Sequence, residues 1–392
     1  MAGTPTRRSD GWARLEPVAP PPARPRARTS GVVLGRMEPG PVNAITDVGD
    51  VRVGHVTLLA DTRQLESGGG PVRTGVTVVL PHAGNVFREK VVAAVHVINA
   101  FGKAAGTTQV AELGVIETPI ALTNTLSVGM AFEGLVEHAL RDNPEIGRTT
   151  GSVNPVVGEC NDSALNDIRG RHVRPEHVLE AIERAAPGPV AEGVVGAGTG
   201  MTCYGWKGGI GTASRRIPDE MGGFMLGALV LANFGRPEDL VIDGVPVGRA
   251  LMPPGGERQA PGAPSGAGSC VTIMATDCPA TSRQLGRIAH RVQNGLARTG
   301  TFGEHYSGEY VFAFSTARTV PHWPSEPTLP ARELAENGPV LDALFRATVE
   351  ATEEAVVNAL FTADTVQGID NHMRYGLPTA DVLTMLTRMR GR

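Results

Sequence analysis

Gly266-Ala267-Gly268-Ser269-Cys270-Val271-Thr272-Ile273-Met274-Ala275-Thr276-Asp277 joins two unlike kinds of chain. Upstream, Pro253 to Gly268 is rich in Pro and Gly. Downstream, a short continuous apolar run with β-branched members is bounded by turn residues, which predicts a buried strand. The first residue of that strand is Ser269, a small nucleophile placed directly after a loop that could be cut. A Ser hydroxyl is a weak nucleophile and needs an adjacent base. A free α-amine on the same residue, with a reference pKa of about 7.7–8.0, is such a base near neutral pH. That amine exists only if the Gly268–Ser269 bond is broken, and Gly268, without a side chain, permits close approach and unusual backbone angles. A plain loop-to-strand junction with Ser in first place reads the same residues. The stretch by itself leaves both readings open.

Working outward, Phe224 to Leu231 predicts a central strand ending in Ala232-Asn233-Phe234-Gly235. An Asn just past a strand end can offer its amide to an oxyanion, or simply form a turn before Gly. On the other side, Leu285, Ile288, Ala289, Val292 and Leu296 recur at helical spacing, and Gly300 follows. After that helix, Ser307-Gly308-Glu309 leads into a strand, Tyr310 to Ser315.

Nearer the N-terminus, strands are expected at 51–56, 75–81, 116–122 and 153–157, with helices at 129–140 and 175–185. Residues 88–100 suggest a short helix, although Val91, Val92, Val95 and Val97 make it ambiguous. Gly196-Ala197-Gly198-Thr199-Gly200 falls short of a dinucleotide fingerprint. Its third Gly comes one residue early, and 203–211 reads as a strand or hairpin where the fingerprint needs a helix. Helices are expected at 341–360, with an acidic centre at Glu350, Glu353 and Glu354, and at 380–389. Elements come in blocks without strict β-α-β alternation, which argues for layered sheets covered by helices in one domain, 41–392. Residues 1–40, rich in Pro and Arg, are expected to be a disordered extension.

Composition narrows the function classes. The net charge of −4 argues against a nucleic-acid partner, which a basic face or stripe would serve. Four cysteines in 392 residues, with no C-x-x-C pair, make no disulfide framework. The ten His show no metal-ligand spacing, so neither a metal nor another cofactor is expected. No apolar run is long enough to span a bilayer, and no apolar segment follows Arg7-Arg8, so the expectation is a cytoplasmic enzyme without a membrane partner.

From Asn43 to the C-terminus, about nine-tenths of the chain, the sequence resembles the L-aminopeptidase/D-esterase and β-aminopeptidase family of self-processing hydrolases. The features that carry the resemblance are Asn43-Ala44-Ile45-Thr46-Asp47-Val48, Val53-Gly54-His55, Arg73-Thr74-Gly75-Val76-Thr77 and Leu165-Asn166-Asp167. Further on come Pro189 to Gly193, Gly196 to Met201, Lys207 to Arg215, Leu229 to Asn233, Ala275 to Pro279 and Ser307 to Thr316. The resemblance implies a four-layer α/β/β/α sandwich of N-terminal-nucleophile-hydrolase type. It also implies self-cleavage into 1–268 and 269–392, and a homo-oligomer, a tetramer, of α/β heterodimers. The activity implied is release of N-terminal residues from small peptides, amides or esters, with some members accepting D-residues or β-amino acids.

Residue by residue, Ser269 resembles the nucleophile and Gly268–Ser269 the processing bond. Ser307 and Glu309 resemble the pair that positions and polarises the nucleophile; 307 − 269 = 38 residues is room for one helix and a return alongside the first strand. Asn233 resembles the oxyanion amide, and Glu159 the carboxylate that meets the substrate's free amine. Two positions after that Glu, family members carry Tyr or a bulky apolar residue. Here Asn161 stands, so the resemblance does not carry the family's substrate range over to this chain. Cys270 replaces the usual aliphatic residue after the nucleophile. Alternation along a strand turns its side chain away from the face that carries Ser269, which excludes it as the nucleophile. Two other uses of the scaffold remain open from sequence: an acyltransferase working through the same acyl-enzyme, and an unprocessed small-molecule binding protein.

Overall fold

The computed structural model describes residues 15–19, 24–61, 68–256 and 268–390. Residues 257–267 of the loop before Ser269, and 1–14 and 20–23 of the N-terminal segment, lie outside the described residues.

Two sheets stack face to face. The first has the order β1 (Arg52–Ala60), β2 (Val72–Leu80), β5 (Ile120–Asn124), β6 (Val156–Cys160), with only β5 and β6 parallel. The second contains β3 (Glu89–Ala100), β4 (Val115–Ile116), β9 (Gly209–Arg216), β10 (Met225–Asn233), β11 (Ser269–Thr276) and β12 (Gly308–Pro321). Its order is β4-β3-β12-β11-β10-β9, and only β11 and β12 run parallel. A two-stranded hairpin, β7 (Thr202–Cys203) and β8 (Trp206–Lys207), precedes β9.

The layers follow from side-chain alternation. In β11, Val271, Ile273 and Ala275 face the first sheet and join Leu122, Val156 and Ile120 in the inter-sheet core. Cys270 and Met274 face the other way, against α4 (Ser282–His290), α5 (Val292–Arg298) and α6 (Pro339–Thr362). On the far side, α2 (Val128–Asp142) and α3 (Pro175–Glu183) cover the outer face of the first sheet, with Leu135 and Val178 against Val76 and Val157. The remaining helices are α1 (Thr107–Leu113) and α7 (Thr379–Arg390). The expected α/β/β/α sandwich is therefore present. Burial on both faces is why β10 and β11 read as continuous apolar runs without alternation.

Four expectations change. The single strand expected over 116–122 is two, β4 in the second sheet and β5 in the first, separated by a break that contains Pro119. The helix suggested over 88–100 is instead strand β3, between β12 and β4: the β-branched residues that made a helix ambiguous pack on a pleated surface. The single helix expected over 285–296 is two, meeting at Arg291. The N-terminal segment is not an unstructured extension over 24–40, where Ala27, Val32 and Leu34 are buried. The arginines that suggested disorder supply hydrogen bonds to groups the fold has buried. Arg24 donates to the carbonyls of Ala363 (2.8 Å) and Leu377 (2.7 Å). Arg26 pairs with Glu192 at 2.6 Å, and Arg28 with Glu354 at 2.9 Å. The acidic centre of α6 is explained by the same network: Glu350 and Glu354 also hold the fully buried Arg215, at 3.3 and 2.7 Å.

Among the described residues no helix is long and apolar enough to cross a membrane.

Candidate active site

Ser269 opens β11 at the centre of the second sheet, opposite Asn233 of β10 on one side and Gly308 of β12 on the other. The parallel β11–β12 pair is what a strand, two helices on the outer face and a returning strand produce. Asn233 and the residues around Ser307, distant in sequence, thus flank one Ser at one end of the sheet.

The Ser269 side chain points between the sheets and is buried, at 3% exposure. Its Oγ accepts two hydrogen bonds, from Asn233 Nδ2 at 3.2 Å and from the Asn161 backbone N–H at 3.3 Å. The Asn233 amide has a fixed orientation. Its Oδ1 accepts from the Thr202 N–H at 2.8 Å, and its Nδ2 also donates to the Asn161 carbonyl at 3.0 Å. Asn161 contributes backbone at both contacts; its side chain accepts from the Ser163 N–H at 2.9 Å, an Asx turn.

The carbonyl of Gly268, the group a cleaving Ser269 would attack, accepts from the Gly308 N–H at 3.2 Å. Beside it, Ser307 Oγ donates to Glu309 Oε1 at 2.9 Å. Among the described residues these two bond to each other and not to Ser269. Burial raises the Glu309 carboxyl above its ordinary value; the Ser307 hydrogen bond opposes that and the Glu304 charge adds to it. A raised carboxyl is a better proton acceptor near neutral pH.

Glu159 lies on β6, two residues before Asn161, and is also buried. Its Oε1 accepts from the Lys103 N–H at 2.8 Å and its Oε2 from the Thr125 hydroxyl. A carboxylate has about four acceptor positions, so two remain for a ligand's ammonium. Cys270 faces the helix layer, as alternation requires, and burial holds its thiol well above the ordinary range, which keeps it protonated.

Among the described residues, a Cβ on Gly268 would sit 3.5 Å from both the Phe234 Cα and Ser307 Oγ, ordinary contact, so close approach to these neighbours does not itself require a glycine.

Several supports are silent in sequence. Asn99, inside the valine-rich β3, donates to the carbonyls of Glu304 (3.1 Å), His305 (2.9 Å) and Ser307, clamping the turn into β12. Lys207, fully buried, donates to the carbonyls of Gly198 (3.0 Å), Met201 (2.9 Å) and Gly208 (2.8 Å). That bracing, with Gly198 too close to Ile210 N for any Cβ (2.5 Å), accounts for the Gly-rich stretch without a nucleotide. It also sets Thr202, and through Thr202 the Asn233 amide. Asn166, of the Leu165-Asn166-Asp167 motif, braces the loop after β6 by donating to Asp162 Oδ1 at 3.0 Å and accepting from the Arg73 N–H at 3.0 Å. For Lys207 and Asn166 the signal available was the motif spacing alone, without roles; Asn99 lies in none of the motifs.

A cleft of about 490 Å³ opens beside Asn161, Asn233 and Gly268 and runs towards Arg236, Glu304 and Arg374. Its size suits a small ligand.

Residues 43–374 match peptidase family S58. The chain belongs to that family. The S58 peptidase is 40% identical over 375 residues to the β-peptidyl aminopeptidase BapA of Sphingosinicella microcystinivorans, covering 93% of each chain. Among solved structures it is similar to a protein of Pyrococcus horikoshii OT3, at 51% identity and TM-score 0.86, over 94% of this chain and 100% of that one. It is also similar to the L-aminopeptidase D-Ala-esterase/amidase of Ochrobactrum anthropi, at 37% identity and TM-score 0.84, over 94% and 99% of the two chains. The latter is described as a variant of the Ntn-hydrolase fold and a prototype of the serine aminopeptidases. The S58 peptidase thus has the N-terminal-nucleophile-hydrolase fold and is a hydrolase with aminopeptidase activity, as the motif resemblance implied.

Proposed function

We propose that this peptidase cleaves its own Gly268–Ser269 bond, giving chains 1–268 and 269–392, and then uses Ser269 as an N-terminal nucleophile on short peptides, amides or esters that carry a free amine. The observation that carries the proposal is the convergence on Ser269 of two fixed donors, Asn233 Nδ2 and the Asn161 N–H, at the first residue of a buried strand.

In self-cleavage, Ser269 Oγ bonds to the Gly268 carbonyl carbon, the C–N bond breaks, and the hydroxyl proton ends on the Ser269 nitrogen. Glu309, reached through Ser307, is the nearby group able to carry that proton. Water then hydrolyses the ester, freeing the Gly268 carboxylate and the Ser269 amine. In turnover, the substrate's ammonium docks on Glu159 through its two free acceptor positions. A buried ammonium needs a charged, hydrogen-bonding partner. Ser269 Oγ attacks the first carbonyl, its proton passes to the α-amine, and Asn233 Nδ2 with the Asn161 N–H holds the oxyanion. The amine product leaves with a proton, and water completes the cycle. Asn161, in place of a bulkier side chain, widens the mouth of the substrate cleft.

The activities that give the relatives their names, on β-peptides and on L-aminoacyl and D-alanyl substrates, support this substrate class. Assembly as a homo-oligomer of α/β heterodimers, a tetramer, in the cytoplasm belongs to the same reading. The test is hydrolysis of L-alanyl, D-alanyl and β-alanyl p-nitroanilides by the wild type and by Ser269→Ala. The reading requires turnover of at least one by the wild type and none by the variant. Equal turnover by both would refute it.

A further inference from the structure

The cleft beside Ser269 holds a positive charge that no other described residue answers. Among the described residues three charged side chains line it: Arg236, Glu304 and Arg374. Arg236 and Glu304 pair with each other at 2.6 Å. Arg374 sits on the second strand of a small hairpin, β13 (Val366–Gln367) with β14 (Met373–Arg374), whose following residue, Tyr375, is fixed by the Lys207 N–H at 2.8 Å. The guanidinium is partly withdrawn from water. One nitrogen donates to the carbonyl of the neighbouring Met373 at 3.0 Å. The Nε is sealed from solvent and has no acceptor, and no carboxylate among the described residues pairs with the group. Burial without an acidic neighbour pushes its pKa below the ordinary Arg value. An arginine left so, in a substrate-sized cleft, lacks the planar two-oxygen partner its fork matches.

The position of the cleft says which part of a substrate would bring that partner. Glu159 is not among the residues that line it, whereas Asn161, Asn233 and Gly268 are. A peptide with its ammonium on Glu159 and its first carbonyl at Ser269 therefore sends the remainder, the leaving group, into the cleft towards Arg374. We propose that Arg374 binds the C-terminal carboxylate of the leaving group, so that the peptidase prefers dipeptide-sized substrates with a free C-terminus. This rests on the proposed docking of the amine and on the Ser269 chemistry. The chain's own Gly268 carboxylate, freed by self-cleavage, is a second carboxylate that could reach the cleft, and the test separates the two.

The test compares β-alanyl or L-alanyl dipeptides as free acids with the same dipeptides as C-terminal amides, in the wild type, Arg374→Gln and Arg374→Lys. Cleavage into two chains and an unchanged circular dichroism spectrum establish that each variant is folded. A hydrogen-bonded charge pair of this kind gives the wild type about a ten- to hundredfold higher kcat/KM for the acid than for the amide. In Arg374→Gln the acid-to-amide ratio falls to about one, mostly through KM; Arg374→Lys keeps part of the preference. A wild-type ratio of one or less, or the same ratio in wild type and Arg374→Gln, overturns the proposal and leaves the hydrolase reading standing. Equal losses on acid and amide in Arg374→Gln assign Arg374 to the Gly268 carboxylate or to support of the fold, and also overturn it. A wild type that hydrolyses neither overturns this proposal together with the reading beneath it.

Discussion

Replacing Asn233 with Ala removes one of the two donors aimed at Ser269, and the structure fixes what the loss should do. The Asn233 Nδ2 lies 3.2 Å from Ser269 Oγ and its orientation is set by the Thr202 N–H at 2.8 Å. It is a preorganised donor where negative charge develops, and removing one such donor costs about 2.7–4 kcal/mol in the transition state, or about 10²–10³ in kcat. The Asn161 N–H remains, which places the loss towards the lower end. Because the bond strengthens as the oxyanion forms, the loss falls on kcat, with KM moving only a few-fold. The substitution also leaves the Thr202 N–H and the Asn161 carbonyl without their side-chain partner, a stability cost of about 1–2 kcal/mol. Asn233→Asp separates the effects: it keeps an acceptor for Thr202 while turning the donor into an oxygen that faces the Asn161 carbonyl, so its kcat falls at least as far. Self-cleavage is slowed less than turnover, because the Gly268 carbonyl is held by the Gly308 N–H. The assay is steady-state hydrolysis of an alanyl p-nitroanilide by the cleaved form of each variant. A cleaved Asn233→Ala enzyme with kcat within threefold of wild type, or a loss carried mainly by KM, refutes the reasoning.

Further expectations concern the same elements. Gly268→Ala should cleave itself at close to the wild-type rate, since among the described residues a Cβ meets only ordinary 3.5 Å contacts; an uncut chain on a denaturing gel would contradict this. Iodoacetamide should leave the folded enzyme active, and Cys270→Ala should keep kcat within a few-fold, because the Cys270 thiol is buried against the helix layer; rapid inactivation tracking modification of Cys270 would return it to candidacy. Burial lowers the pKa of His55 from 6.5 to about 4. The unfolded chain therefore binds a proton before the native one does. The resulting stability is present above pH 6.5 and lost as the pH falls towards 4. That fall is worth at most about 3 kcal/mol, an upper bound because His55 is only half-buried. Urea unfolding of wild type and His55→Gln across pH 4–7 checks it: the wild type should lose more stability than the variant as the pH falls.

Much of the fold was legible because the strands that matter are buried on both faces. β10 and β11 announce themselves as apolar runs, and Asn233 and Ser269 stand out as polar residues at their ends. The pairing of the two ends was legible in part: 38 residues with a helical pattern between Ser269 and Ser307 allow a parallel return, and β11 and β12 do run parallel. What composition hid was long-range pairing. Arg24, Arg26 and Arg28 look like a solvated tail until the carbonyls of Ala363 and Leu377 and the carboxylates of Glu192 and Glu354 are placed opposite them. Asn99 is one of four polar residues in β3, with Glu89, Lys90 and His96, and no local pattern says that it holds the turn at Ser307. Lys207 shows only as part of a Gly-rich motif, since its partners are three backbone carbonyls, which carry no side-chain identity. The Asn161 contribution is likewise made by backbone, which any residue type supplies.

The most direct test of the central claim is the intact mass of freshly purified wild type and Ser269→Ala under denaturing conditions. The wild type should separate into chains of 268 and 392 − 268 = 124 residues, the second beginning at Ser269, while Ser269→Ala stays a single chain of 392. A wild type that remains whole yet hydrolyses an aminoacyl amide, or a Ser269→Ala chain cut at the same bond, would contradict it.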